Sequence, residues 1–438
     1  MFRRKVEKIL VDNYNNQNAN IILVKGARQI GKSFIIRETA KLHFKNYIEI
    51  DLKSDYEGDQ LFKKVNTTKA FYLLVASMHG NELNDINDTI IFLDEIQFYP
   101  NLITLLKDLK KEKRYRYIAS GSLLGITLRH TFIPMGSIEE VNMYPMDFEE
   151  FLWANNVGFE TIDYLRQCFK NKEVIEDGIH QKMMSLFKDY LICGGLPDAV
   201  IEYVLNINVM RCRNIHQQTF QYYKDDCAKY DKEHVLKISK VYDMFISNMG
   251  NKVKRLQFAK IENIVNSNLE KYEEEVDYLV AAGVSLPARA VSNPIFPLSV
   301  SMSKNLIKLY YNDVGILSNL LFKNNINAIL TNDKGLNLGS LYETACAMEL
   351  AAHGHDLYYF DSKKVGEVDF LINDFDNLNV VPIEIKSGKD QYNFRAIPKL
   401  VGEEGNYKLQ YGYVFGNKNC FEKKDNLIIL PIYLIMFV

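Results

Sequence analysis

The 438-residue sequence contains few cysteines, and none of them forms a CxxC pair. This spacing excludes a cysteine zinc cage and gives no sign of a disulfide framework, so a reducing compartment fits and we predict a cytoplasmic protein. The N-terminal charges are followed by a polar stretch instead of an apolar one, so we expect no export signal. The six cysteines are Cys168, Cys193, Cys212, Cys227, Cys346 and Cys420.

The sequence also lacks an excess of charge and lacks a long apolar run. It has 53 Lys and Arg against 55 Asp and Glu, a formal net charge of −2. This balance excludes a protein whose whole surface attracts nucleic acid or an anionic membrane, so any polyanion site must be local. The longest apolar run, residues 427–438, is shorter than the roughly 18 residues of a membrane span and contains Pro431. We therefore predict a buried strand there and no membrane partner.

The patterns that are present predict an α/β protein of about three domains. In the first 150 residues, four short apolar runs alternate with amphipathic stretches, and they lie at residues 20–24, 47–51, 89–93 and 115–119. This alternation predicts four strands in a parallel sheet of βαβ units. Residues 151–334 show mostly helical spacing, and residues 335–438 return to mixed helix and strand patterns. We therefore predict an α/β domain over residues 1–150, a helical middle over 151–334 and a second α/β domain over 335–438.

The strongest motif is GxxxxGK[ST], directly after an apolar strand and before a helix. Its glycines allow backbone N–H groups to point inward around phosphates, and the helix N-terminus adds a positive dipole end. We predict that Lys32 reaches the β and γ phosphates of ATP and that Ser33 binds Mg²⁺. The motif consists of Gly26, Ala27, Arg28, Gln29, Ile30, Gly31, Lys32 and Ser33.

A second apolar strand ends in two acids about 60 residues later. We predict that Asp94 holds the Mg²⁺ shell and that Glu95 orients and deprotonates the water that attacks the γ-phosphate. A further strand ends at Ser120, where a polar side chain would sense the γ-phosphate, although serine before glycine is also an ordinary turn signal.

These motifs, in this order, resemble those of bacterial and archaeal ATPases of the AAA type. The resemblance implies that residues 1–150 form an AAA-type ATPase domain with a P-loop NTPase parallel sheet and that this domain hydrolyses ATP. It also implies a homo-oligomer whose sites are completed across subunits. It leaves the arginine finger open, because Arg28 lies in the P-loop itself and equally suits a structural role, and Arg129 has no matching signature. The segments that carry the resemblance are residues 26–33, 93–97, 120–122, 145–152 and 193–197.

The helical middle contains a helix-turn-helix pattern over residues 258–282, and the resemblance also implies a winged-helix element there. Its second helix is acidic: residues 268–282 hold five Asp and Glu against Lys271 alone. Because DNA affinity depends on neutralising phosphates, we favour a packing or protein-contact role for this helix.

The C-terminal domain holds a second set of charged residues on adjacent predicted strands. Asp369 lies in one strand, and Glu384 and Lys386 share a face of the next, because strand side chains alternate. If the strands pair, the two carboxylates favour a divalent cation and Lys386 polarises a water for attack on a phosphodiester. Glu343, from the preceding helix, would complete the metal ligands.

This set is similar to the PD-(D/E)xK arrangement of restriction-endonuclease-like nucleases. The resemblance implies such a fold, with Asp369, Glu384 and Lys386 catalytic and with Mg²⁺ or Mn²⁺ bound by Glu343, Asp369 and Glu384. In the AAA-type group, a C-terminal domain of this kind is common and often has no known function. Residues 335–438 hold 10 Lys and Arg against 14 Asp and Glu, which is unfavourable for holding a DNA duplex unaided.

Two hypotheses follow. In the first, an AAA-type ATPase is coupled to a nuclease-like domain that acts on DNA. In the second, an ATP-driven switch or scaffold contacts a protein partner through its C-terminal domain and cleaves nothing.

The HxH pair His353 and His355 is interpreted as turn or surface histidines, because the sequence indicates no third ligand nearby.

Overall fold

The computed structural model of the protein describes residues 2–83, 88–122, 136–230, 235–249, 256, 269–331, 338–388, 394–402 and 405–438. They form two compact units: Met1–Tyr144 with Ala281–Gly283, and Pro145–Val280 with Val284–Val438. Arg129 and the first helix and turn of the expected winged helix lie outside the described residues. Among the described residues, no helix is both long enough and apolar enough to span a membrane.

The first unit is built on five parallel strands. They are β1 Ile21–Lys25, β2 Asn46–Asp51, β3 Thr89–Asp94, β4 Arg116–Gly121 and β5 Ile138–Asn142. The order in the sheet is β2-β3-β4-β1-β5, and every neighbouring pair is parallel. The four predicted strands of this region are confirmed to within two residues, and β5 is additional. The helices are α1 Val6–Asn15, α2 Lys32–His43, α3 Leu52–Glu57, α4 Thr68–His79 and α5 Pro100–Glu112.

The register of this sheet brings the functional strand ends to one edge. Val24 of β1 lies beside Ser120 of β4, and Leu93 of β3 lies beside Ala119 of β4. Strand β1 is apolar and buried along Ile21 to Val24, as expected for a central strand covered on both faces. The residues that follow β1, β3 and β4 therefore meet at the carboxyl edge, where α/β sheets bind ligands.

Helices dominate the first half of the second unit, as predicted. In chain order, the helices of the second unit are α6 Phe148–Ala154, α7 Phe159–Asn171, α8 Asp177–Cys193, α9 Pro197–Val200, α10 Val209–Tyr230, α11 Val235–Met249, α12 Glu273–Ala281, α13 Val314–Phe322, α14 Asn327–Leu330 and α15 Gly339–Ala352. The acidic helix of the expected winged helix corresponds to α12.

An eight-stranded mixed sheet forms the rest of the second unit. Its strands are β6 Ser285–Val291, β7 Met302–Tyr311, β8 Leu357–Ser362, β9 Gly366–Asp374, β10 Asn379–Ile385, β11 Gly412–Gly416, β12 Glu422–Lys424 and β13 Leu427–Pro431. The order is β12-β13-β11-β10-β9-β8-β6-β7. Strands β9 and β10 pair antiparallel, as expected for the hairpin, and β10, β11 and β13 are parallel to one another.

Strands β6 and β7 come from the segment whose spacing predicts a helical middle. They form an antiparallel pair where a wing would follow α12, and β6 also pairs with β8, so both strands extend the C-terminal sheet. The division at residue 335 and the winged helix stay predictions. The closing apolar run forms β13 and then a 3₁₀ helix, Ile432–Phe437, because Pro431 ends the strand.

Candidate functional site

The P-loop wraps around the carboxyl end of β1 and needs its glycines. Gly26 has φ 151°, and a Cβ there would lie 2.2 Å from the carbonyl oxygen of Met143. Gly31 has φ 90° and caps the N-terminus of α2. Gln29 also has a positive φ of 63°, while Ala27 and Ile30 are buried. The loop therefore has the tightly curled backbone that the motif predicts.

Lys32 is buried beneath this loop. Its Nζ donates hydrogen bonds to the carbonyl oxygens of Gly26 at 3.0 Å and Ala27 at 2.7 Å. Burial lowers the pKa of Lys32 to about 8, against the opposing attraction of the Glu95 and Asp94 carboxylates. The ammonium is therefore held at the loop, next to Asp94 at the end of β3 and Glu95 just after it.

Asp94, at the end of β3, joins three motifs. Its carboxylate accepts hydrogen bonds from the hydroxyls of Ser120 and Ser33. Burial raises the pKa of Asp94, and these two hydroxyls counteract part of that rise. Hydroxyl and carboxylate oxygens meeting here are the donors that Mg²⁺ prefers, so the residues fit the cation that ATP carries.

Glu95 is held by hydrogen bonds that the sequence did not indicate. Its backbone has φ 55°, and its Oε2 accepts from the Ser122 hydroxyl at 2.9 Å and from the Gln97 amide. The Ser122 hydroxyl in turn accepts from Arg28 Nε at 3.1 Å. Arg28 therefore connects the P-loop to the end of β4, in agreement with a structural role for this arginine.

Arg4 supports the P-loop from the N-terminal segment. Its Nη1 donates to the carbonyl oxygen of Ile30 at 3.0 Å, and its Nη2 donates to that of Tyr144 at 2.7 Å. Arg4 is 7% exposed. No signal in the sequence pointed to it, because 26 residues separate Arg4 from the carbonyl that it binds.

The second unit brings the predicted carboxylates and lysine together. Ile383 pairs with Phe370, which places Asp369 opposite Glu384 in the same hairpin. Asp369 Oδ2 accepts from the Ile385 N–H at 2.8 Å, and Lys386 Nζ lies 2.7 Å from Glu384 Oε1.

Glu384 is strongly buried, with 7% of the residue exposed. Burial raises the pKa of Glu384, and nearby Lys386 counteracts that rise. Burial alone would lower the pKa of Lys386, but Glu384 and Asp369 raise it. Within the described part of the chain, Glu384 Oε2 has no hydrogen-bond partner. A buried carboxylate oxygen in this state calls for a cation or water, so the donors fit a divalent ion.

Lys308 of β7 is a member of this cluster that sequence reasoning missed. It is 1% exposed, and its Nζ lies 2.5 Å from Glu367 Oε1 and 4.5 Å from the centroid of the Tyr359 ring. Burial would lower the pKa of Lys308, but Glu367, Glu343 and Asp369 together raise it. Its position was hidden because β7 lies in a segment with mostly helical spacing.

Glu343 approaches the same cluster from α15. It is 7% exposed, and its Oε2 accepts from the Tyr310 hydroxyl at 3.3 Å. Alternation along β7 puts Tyr310 on the face that carries Lys308. The structure therefore places the predicted site residues in two clusters, one in each unit, and each cluster is described by its own contacts.

Comparison with protein families finds three consecutive matches. An AAA domain family matches residues 18–152. A domain of unknown function (DUF8612) matches residues 184–327, and another (DUF4143) matches residues 338–435. No curated protein sequence matches the chain.

Solved structures of low identity also match. The Walker-type ATPase PABY2304 of Pyrococcus abyssi is 16% identical, with a TM-score of 0.42, over 73% of this chain and 96% of that one. The Aeropyrum pernix ORC1 protein in complex with DNA is 11% identical, with a TM-score of 0.27, over 75% and 94%. The Thermotoga maritima RuvB Holliday junction branch migration motor is 14% identical, with a TM-score of 0.27, over 65% and 89%.

The family match and the sheet lead to the same conclusion for the first unit. The AAA domain match ends at residue 152, eight residues after the end of the unit's main segment at Tyr144. It includes the P-loop, β3 and β4. The five parallel strands fit a P-loop NTPase. Residues 18–152 therefore match an AAA domain family, and the sheet that they form fits a P-loop NTPase.

Proposed function

We propose that this protein hydrolyses ATP in its first unit and cleaves DNA phosphodiesters, with a divalent cation, in its second unit. The observation that carries the nuclease part is the buried Glu384 Oε2, which lacks a hydrogen-bond partner in the described part of the chain and lies in the hairpin with Asp369. The contacts of Lys32 and Asp94 support the ATPase part.

In the ATPase site, each residue has a distinct role. The backbone N–H groups of residues 26–33 and the Lys32 ammonium bind the phosphates, and Ser33 and Asp94 hold Mg²⁺, which offsets phosphate charge. Glu95, fixed by Ser122, takes the proton of the attacking water. To act as the base, Glu95 has to be oriented before nucleotide binds. Its hydrogen bond to Ser122 provides that orientation.

Phosphate release by the purified full chain tests the ATPase part. We expect Lys32→Ala and Glu95→Gln to lower turnover by at least about 100-fold, the scale of losing a transition-state contact or a general base. Lys41→Ala, an exposed lysine on the same helix, and Glu57→Gln, an exposed glutamate, are the matched controls. Unchanged turnover in Lys32→Ala would contradict the assignment.

In the second unit, Glu343, Asp369 and Glu384 would hold Mg²⁺ or Mn²⁺, which polarises the phosphodiester and lowers the pKa of water. Lys386, 2.7 Å from Glu384, positions the attacking water. The four carboxylates of the cluster, Glu367 included, outnumber the ammonium groups of Lys308 and Lys386. The excess of two negative charges is what one divalent ion neutralises.

Nicking of supercoiled DNA tests the nuclease part. With Mn²⁺ or Mg²⁺ present, we expect nicking by the wild type and its loss in Asp369→Asn and Lys386→Ala. Asp361→Asn and Lys363→Ala change exposed residues of the same unit and should leave nicking intact. Lys32→Ala, assayed with and without ATP, shows whether nucleotide turnover controls the cleavage.

A second candidate function is an ATP-driven switch that binds a protein partner and cleaves nothing. Lys308 favours it, because a buried ammonium already occupies part of the carboxylate cluster. The acidic first turn of α12, Glu273 to Glu275, also suits a protein contact better than DNA. Intact ATP turnover with no nicking in any nucleotide state would support this candidate and overturn the nuclease.

The proposal includes a homo-oligomer, because AAA-type sites take an arginine from a neighbouring subunit. Light scattering of the purified chain should show a larger species with ATP and Mg²⁺ than without nucleotide. A monomer with full turnover would contradict this part alone.

A further inference from the structure

We infer that Asp147, Glu349 and His353 bind one first-row divalent metal ion, with the chemistry of Zn²⁺, in the second unit. One ligand atom from each side chain lies within 4.8 Å of the other two. Two ligands held at about 2.1 Å from one ion are about 3 to 4 Å apart, so the three side chains close on an ion with small movements.

Helices α6 and α15 bring these residues together. Asp147 is the N-cap of α6, and Glu349 and His353 are one turn apart at the end of α15. Glu349 is 0% exposed and Asp147 is 4% exposed. The HxH pair therefore has neighbours that the sequence alone did not reveal, because about 200 residues separate Asp147 from α15.

The backbone of the first turn of α6 orients both carboxylates. Asp147 Oδ1 accepts from the Glu150 N–H at 2.9 Å, and its Oδ2 lies 3.8 Å from His353 Nε2. Glu349 Oε1 accepts from the Phe148 N–H at 2.6 Å. Each carboxylate is thus fixed by a main-chain donor before any ion binds.

The hydrogen bond made by His353 Nδ1 indicates which ring nitrogen carries the hydrogen and which has a lone pair. His353 Nδ1 lies 3.0 Å from the main-chain oxygen of Val438. That oxygen only accepts, so Nδ1 carries the hydrogen, and in the neutral ring Nε2 has a lone pair. A lone pair facing a carboxylate at 3.8 Å is repelled, whereas a cation between them attracts both. Metal-binding histidines have this arrangement, with the second N–H donated to a carbonyl or carboxylate oxygen.

The donor set selects the type of ion. Two carboxylates and one neutral imidazole carry two negative charges, which a divalent ion neutralises. Imidazole suits Zn²⁺ and its neighbours in the first row, whereas Mg²⁺ and Ca²⁺ prefer oxygen ligands alone. Three protein ligands with a fourth open position are a common coordination for Zn²⁺.

His353 lines a cavity of about 510 Å³, together with His355 and Val438. The ion site is separate from the nuclease-like cluster: Glu343 lies six residues before Glu349 on α15, about 9 Å along the helix axis and on another face.

Zinc uptake by the purified, chelator-stripped full chain tests this site. We measure Zn²⁺ by competition with a chromophoric chelator and count bound zinc after gel filtration. The wild type should bind one equivalent of Zn²⁺ more than Glu349→Gln and His353→Gln, or bind this equivalent at least about 100-fold more tightly. The reason is that losing even an outer partner of a metal site lowers metal affinity by about 10- to 100-fold. Glu349→Gln retains an acceptor for the Phe148 N–H. His355→Gln and Asp361→Asn, the latter at an exposed position, are controls with unchanged uptake.

Equal uptake by the wild type and both variants would overturn the inference. A His353 ring that carries hydrogens on both nitrogens in the presence of Zn²⁺, seen by NMR, would also overturn it, because the contact with Asp147 would then be an ion pair. If Glu349→Gln does not fold by circular dichroism, Asp147→Asn takes its place, since it retains the acceptor for the Glu150 N–H.

Discussion

The Ser122 hydroxyl donates a hydrogen bond to the Glu95 carboxylate across 2.9 Å, and it accepts one from Arg28 Nε across 3.1 Å. Ser122 is 2% exposed. A residue just beyond β4 thereby sets the direction of the acid that follows β3. In the proposed mechanism Ser122 acts through Glu95, so Ser122 is a positioning residue.

We expect Ser122→Ala to lower the kcat of ATP hydrolysis by about 10- to 100-fold with little change in KM, since a hydrogen bond to a charged group contributes about 1.5 to 3 kcal/mol. Steady-state kinetics over a range of ATP concentrations measure both constants. Ser77→Ala, at an exposed serine of α4, is the control. An unchanged kcat would show that Glu95 is oriented without Ser122.

Nucleotide binding should weaken as pH rises through about 8. Burial lowers the pKa of Lys32 to about 8 in the free protein, so its ammonium is present below that pH and is lost above it. At pH 9 the Lys32 side chain is charged in only about a tenth of the molecules. Affinity for a fluorescent ATP analogue should therefore fall by up to about 10-fold relative to pH 7.5.

The comparison variant for this pH profile is Lys32→Arg. Its guanidinium stays charged over the whole range, so its affinity, whatever its value at pH 7.5, should stay flat up to pH 9. The same decline in both proteins would assign the pH dependence to another group.

Arg4→Ala should weaken nucleotide binding although Arg4 is not part of the P-loop. The substitution removes donors from the carbonyl oxygens of Ile30 and Tyr144, which costs about 1 to 3 kcal/mol for each buried group left unsatisfied. We expect a Kd for ATP at least about 5-fold higher, measured by fluorescence titration. Arg3→Ala, at the exposed neighbour, should bind like the wild type, and equal effects of the two variants would argue against this support.

Lys308→Met should destabilise the second unit by about 3 kcal/mol, because it leaves the carboxylates around a buried position without their ammonium partner. Trp153 is the only tryptophan and lies in the second unit, so its fluorescence reports the urea midpoint of that unit. Adding Glu367→Gln should restore part of the loss, and Lys363→Met, at an exposed site, should have no effect. A wild-type midpoint for Lys308→Met would show that the pair contributes nothing.

The sequence alone allows an ATP site to be proposed because its candidate residues lie in contiguous segments. The glycines of the P-loop motif predict a tightly curled backbone, and the positive φ angles of Gly26 and Gly31 agree with that prediction. Asp94 and Glu95 could be proposed as site residues because they end an apolar strand about 60 residues after the P-loop. Asp369 and Glu384 could be predicted to lie together because neighbouring strands of a hairpin bring opposite residues together, and the hairpin forms with Ile383 beside Phe370.

What the sequence determined by itself is therefore the chemistry that adjacent residues carry: a phosphate-binding loop, acids at the end of a strand, and a carboxylate–lysine hairpin. Only the tertiary structure decided which distant side chains lie beside these segments. Arg4 contacts the P-loop, Lys308 lies among the carboxylates, and Asp147 lies beside His353. The physical reason is that local spacing fixes the face of an element on which a side chain lies, whereas packing between elements decides which faces meet.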